Sequence, residues 1–130
     1  MRFVPTKFHA PLDYSVGAAL IASPWIFSFS DTRAPTILAI VLGIGLIAYS
    51  LFTNYELGVW KVAPLAVHNL IDIVAGALLA VSPWLFGFAD DPANVWIWFV
   101  VVGVAAIFLG LTTKQSGGYS YRRAEHPAIG

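Results

Sequence analysis

Four ionisable side chains, arranged as two matched pairs, could do chemistry in this 130-residue chain. His9 and Asp13 are four residues apart, and so are His68 and Asp72. Residues four apart share one face of an α-helix, so each pair is spaced for contact, and His9 could equally meet Asp72. Such groups could clamp helices together as structural polar contacts. They could also form a proton or ion path, or the two histidines could bind a metal, haem or quinone. The sequence leaves these three uses open.

Both pairs lie in an internal repeat. Residues 9–31 read HAPLDYSVGAALIASPWIFSFSD, and residues 68–90 read HNLIDIVAGALLAVSPWLFGFAD. Eleven of the 23 aligned positions are identical. An internal repeat of this kind predicts one structural unit used twice.

Six of the identical positions follow one stripe of the predicted helix, because they are spaced by three or four residues. In repeat 1 they are His9, Asp13, Gly17, Leu20, Pro24 and Phe27. A surface that faces lipid needs only to be apolar, whereas a surface that meets protein is restricted to particular residues. We therefore expect the stripe to face inward, with the first and third helices meeting along it, and its glycines to let two backbones approach closely. The predicted packing residues between the repeats are Gly17, Leu20, Phe27, Gly76, Leu79 and Phe86.

The composition predicts an all-α membrane protein. Hydrophobic residues make up 58% of the chain and charged residues only 11%, whereas about a quarter of a soluble domain is charged. Four apolar runs are long enough for transmembrane helices, which need about 17–25 residues. We expect repeat 1 over residues 1–59 and repeat 2 over 60–112, followed by a polar cytoplasmic tail, 113–130. The predicted helices span about 11–29, 36–52, 64–88 and 94–111.

The cations predict the orientation of the chain. Six of the seven Lys and Arg residues fall in the N-terminal segment, the central connector and the tail, whereas the two short turns hold only Arg33. Cytoplasmic loops carry the excess of Lys and Arg, so both termini are expected in the cytoplasm. Each repeat is then a helical hairpin with the same sense. The expected architecture is two tandem parallel hairpin repeats, related by a pseudo-twofold axis along the membrane normal.

Each repeat also carries a serine–proline–tryptophan motif at the end of its first apolar run. The motifs are Ser23, Pro24 and Trp25 in repeat 1 and Ser82, Pro83 and Trp84 in repeat 2. Proline bends or ends a helix, the serine can donate to the carbonyl that proline leaves unbonded, and the tryptophan marks the outer interface. Alternatively, both tryptophans could line a small ligand groove with Phe27 and Phe86.

On these two motifs, with the upstream His and Asp, the chain resembles the SPW repeat family of small bacterial and archaeal integral membrane proteins. The resemblance covers nearly the whole chain except the tail. It implies a membrane domain of two tandem hairpins and a prokaryotic cytoplasmic membrane location. It implies no catalytic residues.

Several classes of function are disfavoured by what the sequence lacks. The chain has no cysteine, which excludes thiolate nucleophiles and Fe–S clusters, and its zero net charge disfavours nucleic acid as a partner. No phosphate loop, nucleophile elbow or strong metal motif is present, so we expect no enzymatic activity and no cofactor.

Three hypotheses about function remain. The first is a non-enzymatic accessory or scaffold component, with the bilayer and other membrane proteins, or itself, as partners. The second is a small transporter or proton-conducting element that uses Asp13 and Asp72. The third is a redox protein that binds haem or quinone through His9 and His68. The sequence gives neither a transported species, nor a partner or oligomeric state, nor the protonation of the aspartates.

Overall fold

The chain folds into four α-helices. The computed structural model describes residues 2–53 and 57–114, so nearly all of the predicted tail lies outside the described residues. The helices are α1 (Thr6–Ile26), α2 (Arg33–Phe52), α3 (Leu65–Leu85) and α4 (Ala93–Thr112). This order confirms the predicted all-α fold of two helical hairpins.

The helix boundaries show how closely the two repeats correspond. α3 begins and ends 59 residues after α1, whereas α4 begins and ends 60 residues after α2. The second turn therefore contains one more residue than the first, and the rest of the repeat is preserved. His9 and His68 lie near the starts of α1 and α3 and contact the same carboxylates, so both hairpins point the same way. A pseudo-twofold axis along the bundle relates them.

The first helix begins earlier than predicted. It starts at Thr6 instead of about residue 11, because Pro5 is the extended residue that precedes the helix, with φ −66° and ψ 145°. Pro64 precedes α3 in nearly the same conformation. Pro11 lies inside α1 and does not open it. In repeat 2 the residue equivalent to Pro11 is Leu70, whereas the residue equivalent to Pro5 is Pro64. The repeat therefore favours a helix that starts after Pro5.

Both motif-bearing helices end about three residues before the predicted position. Each continues only two residues past its proline and then turns through a residue with positive φ, Ser28 at 58° or Gly87 at 77°. The next backbone N–H returns to the proline carbonyl, as the Phe29 N–Pro24 O and Phe88 N–Pro83 O distances are both 2.8 Å. This left-handed turn is a common way for a helix to end.

Close helix contact occurs within each hairpin. A Cβ added at Gly43 would lie 2.7 Å from the Gly17 carbonyl oxygen, and one at Gly76 would lie 2.7 Å from the Gly103 carbonyl oxygen. The predicted packing of Gly17 and Gly76 between α1 and α3 is therefore wrong. Short turns make α1–α2 and α3–α4 antiparallel neighbours, and it is these backbones that the glycines bring together.

The repeats meet at both ends of the bundle. At one end Phe29 and Phe88, from the two turns, pack on Phe99 of α4 with ring centroids 5.8 and 5.0 Å apart. At the other end the segment before α1 pairs with the end of α4, since Val4 N lies 2.9 Å from Thr112 O. The segment before α3 pairs with the end of α2 in the same way, with Ala63 N 2.7 Å from Phe52 O.

The bundle has the dimensions of a membrane domain. Among the described residues α2, α3 and α4 are long and apolar enough to cross a membrane. α1 is as long as α3, with 21 residues or about 31 Å at 1.5 Å per residue. Lys7, His9 and Asp13 make it less apolar than the other helices. It packs beside α2 as the first half of a hairpin.

Candidate functional site

The four predicted polar residues form one buried cluster, here called the His–Asp cluster: His9, Asp13, His68 and Asp72. The two histidines are fully buried, and the aspartates are 4% and 7% exposed. α1 and α3 place one His–Asp pair each at the same level, because both pairs begin about one turn from the helix start. The fold thus brings together groups that are 55 or more residues apart in the chain.

Within the His–Asp cluster the contacts run in a closed ring between imidazole nitrogens and carboxylate oxygens. The contacts inside each repeat are 3.0 Å for His9 Nε2–Asp13 Oδ1 and 3.3 Å for His68 Nε2–Asp72 Oδ2. Those between repeats are shorter, at 2.9 Å for His9 Nε2–Asp72 Oδ2 and 2.8 Å for His68 Nε2–Asp13 Oδ2. Each histidine therefore links both repeats, and each carboxylate lies against both histidines.

Two threonines complete the cluster on its outer side. His9 Nδ1 lies 2.5 Å from Thr113 Oγ1, and His68 Nδ1 lies 2.6 Å from Thr53 Oγ1. Thr113 directly follows α4 and Thr53 directly follows α2. The pseudo-twofold axis exchanges the two threonines. Each histidine is thus held by its own helix, by the first helix of the other repeat and by a helix end.

The hydroxyl of Thr53 determines that Nδ1 of His68 carries a hydrogen. Thr53 Oγ1 donates to the Tyr49 carbonyl at 2.9 Å. A hydroxyl has one proton to give, so toward His68 it can only accept. Nδ1 of His68 therefore carries a hydrogen, and Nε2 is the atom that faces the carboxylates.

Sequence reasoning missed Thr53 and Thr113. A signal was present, because both follow the second apolar run of their repeat and are 60 residues apart, as are Gly43 and Gly103. The alignment at an offset of 59 did not reveal them, since the extra residue in the second turn shifts the register. Realignment after each turn would have paired them.

Apolar cavities between the hairpins reach the carboxylates. One of about 240 Å³ is lined by Leu20, Leu46 and Leu79 among others, with Asp72 at its wall. A second, of about 160 Å³, is lined by both Asp13 and Asp72 and by residues of α4. The His–Asp cluster is therefore buried from bulk solvent but borders space inside the bundle.

The remaining predicted packing residues lie in different surroundings. Leu20 and Leu79 are buried in one shared core. Phe27 packs against Trp98 of α4, with tilted rings whose centroids are 5.0 Å apart. Phe86 is 49% exposed and, with Ile37 of α2, lines a surface cavity of about 420 Å³. Leu20, Leu79 and Phe27 therefore belong to the core or pack against it, whereas Phe86 lies at the surface.

In both motifs the serine takes the place of the bond that proline removes. Ser23 Oγ donates to the Leu20 carbonyl and Ser82 Oγ to the Leu79 carbonyl, both at 2.7 Å. These are the carbonyls four residues before Pro24 and Pro83, which have no N–H to donate. Trp25 and Trp84 are both 62% exposed at the same end of the bundle.

Asn94, the second residue of α4, does not cap that helix. Pro92 is the residue before the helix, and no side chain caps it. The Asn94 amide instead donates to the Phe27 carbonyl at 2.5 Å and so joins the two repeats at the end of the bundle that holds the short turns.

A haem does not fit between His9 and His68. The two rings meet edge to face with centroids 5.5 Å apart. Carboxylate oxygens lie within about 3 Å of both Nε2 atoms, where the plane of a macrocycle would have to pass. The ligand atoms of all four residues lie within 4.8 Å of one another, which is the scale of a single ion.

Comparison with known proteins gives a family and no named relative. No curated protein and no solved structure matches the chain. The SPW repeat domain matches residues 7–113, which include all four helices but for the first residue of α1, both motifs and the whole His–Asp cluster. The chain therefore belongs to the SPW repeat family.

Proposed function

We propose that this chain is a non-enzymatic accessory or scaffold component of a prokaryotic inner-membrane complex. The observation that supports this function is the closed ring of the His–Asp cluster, in which each carboxylate lies against both histidines. Because each histidine contacts an aspartate of the other repeat, the ring joins the two hairpins into one unit.

The proposal includes an orientation with both termini in the cytoplasm. Arg2, Lys7 and Lys114 lie at the end of the bundle that holds the His–Asp cluster, and Asp31 and Asp90 lie in the turns at the other end. The positive-inside rule then places the cluster near the cytoplasmic face and the exposed tryptophans near the outer face.

The accessory function predicts a stable assembly larger than the monomer. Native mass spectrometry of the protein released from a mild detergent should show a stoichiometric complex with itself or with another membrane protein, at a mass above 14.1 kDa. The His9→Gln/His68→Gln variant, which loosens the hairpins, should lose the partner, while the tail variant His126→Gln should retain it. Recovery of the monomer alone from native membranes would argue against a subunit role.

A second candidate function is proton conduction, favoured by the cavities that reach Asp13 and Asp72. Vesicles loaded with a pH-sensitive dye would show proton flux that Asp13→Asn/Asp72→Asn abolishes. The matched control is Asp31→Asn/Asp90→Asn, which changes two carboxylates in the exposed turns. If the parent protein does not conduct protons above the level of empty vesicles, Asp13 and Asp72 are structural.

A further inference from the structure

We infer that the His–Asp cluster is a binding site for one divalent transition-metal ion, with zinc-type tetrahedral coordination by two histidine nitrogens and two carboxylate oxygens. The inference rests on the cluster that the proposed function uses as a clamp, and it adds a ligand to it.

The spacing of the ligand atoms supports a tetrahedral ion. Zinc binds imidazole nitrogen and carboxylate oxygen at about 2.0–2.2 Å, so neighbouring ligand atoms are separated by about 3.3 Å. The four N–O contacts measure 2.8–3.3 Å and alternate His, Asp, His, Asp around the ring. Asp13 meets the two histidines through different oxygens, so with one oxygen per carboxylate three of the six edges of a tetrahedron are already present. The remaining ligand atoms lie within 4.8 Å of one another.

The outer hydrogen bonds orient the histidines as metal ligands. A histidine that binds a metal through one nitrogen usually donates the other N–H to an oxygen, which fixes the ring and its tautomer. His68 does so through Thr53, and Thr113 stands at the equivalent position beside His9. In both repeats Nε2 is the nitrogen that points into the ring.

The charges and the surroundings also suit a divalent cation. Two carboxylates balance a charge of +2, so the loaded site has no net charge, which favours burial among apolar helices. Calcium and magnesium fit less well, because they take six or more oxygen ligands. The cavity of about 160 Å³ beside both aspartates is otherwise apolar in its lining, so it offers an ion no further carboxylate or histidine ligand.

The test is metal binding to tag-free, full-length protein in detergent micelles after chelator treatment. We expect about one Zn²⁺ per chain and no measurable uptake of Mg²⁺ at the same concentration. Co²⁺, used as a spectroscopic probe, should give the intense visible absorption of a tetrahedral site. Asp72→Asn and His68→Gln should each abolish that absorption, while His126→Gln, which removes the remaining histidine, should leave it unchanged.

Two milder variants keep the test valid if those proteins fold poorly. Thr53→Val and Thr113→Val preserve side-chain shape and should weaken Zn²⁺ binding about 10- to 100-fold, because they remove the group that orients each histidine. A parent protein that binds no Zn²⁺, or whose binding depends on His126 alone, overturns the inference. If that metal-free protein stays folded with Asp13 and His68 still energetically coupled, the proposed clamp survives without the metal.

Discussion

At the scale of single residues, the His–Asp cluster and the two serine–proline pairs carry the specific features of this protein. The sequence predicted that His9 and Asp13 share a face, because helical periodicity determines which side chains of one helix lie together. It left a contact of His9 with Asp72 as an alternative. Realignment could have paired Thr53 with Thr113, but it could not predict that they contact the outer ring nitrogens. Those contacts depend on where α2 and α4 end relative to α1 and α3, which is decided by tertiary packing.

The serine hydroxyls in the motifs are expected to matter only because of the prolines beside them. Ser23→Ala should lower the free energy of unfolding by about 1 kcal/mol, since it leaves the buried Leu20 carbonyl unbonded. In a Pro24→Ala background the restored N–H can reach that carbonyl, so the same substitution should cost less than half as much. Thermal unfolding in detergent measures this double-mutant cycle.

The control for that cycle is Ser30→Ala, which changes an exposed turn serine and should leave stability unchanged. Equal costs of Ser23→Ala with and without Pro24 would show that the hydroxyl does not replace the missing bond.

At the scale of elements, each hairpin is held by glycines that face a backbone. The repeat revealed Gly17 and Gly76 as special positions, but a single sequence does not say which neighbour a glycine faces. Gly43 and Gly103 lie on the partner helices, outside the aligned stripe, and complete the contact. The partner of each glycine follows from the turn length, which makes sequential helices the nearest neighbours.

Gly43 and Gly45 should respond oppositely to alanine. A Cβ at Gly43 would lie 2.7 Å from a backbone oxygen, so Gly43→Ala should destabilise the protein by about 1–3 kcal/mol. A Cβ at Gly45 meets nothing within 4 Å, and the equivalent residue in α4 is Ala105. Gly45→Ala should therefore be neutral, or stabilising by up to about 1 kcal/mol. Equal destabilisation of both variants in detergent unfolding would contradict the hairpin packing.

The residues with positive φ that follow α1 and α3 can be exchanged between the repeats as a test. Ser28 and Gly87 occupy equivalent positions with positive φ, which costs a residue with a Cβ about 1–2 kcal/mol. Ser28→Gly should raise the melting temperature and Gly87→Ser should lower it. If both substitutions shift it the same way, the two turns do not share one conformation.

At the scale of the whole molecule, the two hairpins form one bundle through its ends. The repeat and the distribution of cations predicted the parallel arrangement. They did not predict that the segment before α1 pairs with the segment after α4, where Lys114 N lies 2.9 Å from Val4 O. That contact needs both repeats folded, so no local pattern in either one indicates it.

The topology can be read by labelling single cysteines, because the chain has none of its own. Lys7→Cys and Lys114→Cys should react with a membrane-impermeant maleimide from one side of the membrane, and Asp31→Cys and Asp90→Cys from the other. All four positions are exposed. If positions 7 and 31 label from the same side, α1 does not cross the bilayer, and the hairpin architecture is wrong.

The central claim is that the His–Asp cluster joins the two repeats, and the coupling free energy between Asp13 and His68 tests it most directly. Asp13→Asn, His68→Gln and the double variant form the cycle, measured by unfolding in detergent. The uncoupled control pair is Asp31 and His68, because Asp31 lies in the exposed turn at the other end of the bundle. We predict a coupling of about 1 kcal/mol or more across the 2.8 Å contact. Additivity within about 0.3 kcal/mol, as for distant residues, would contradict the account.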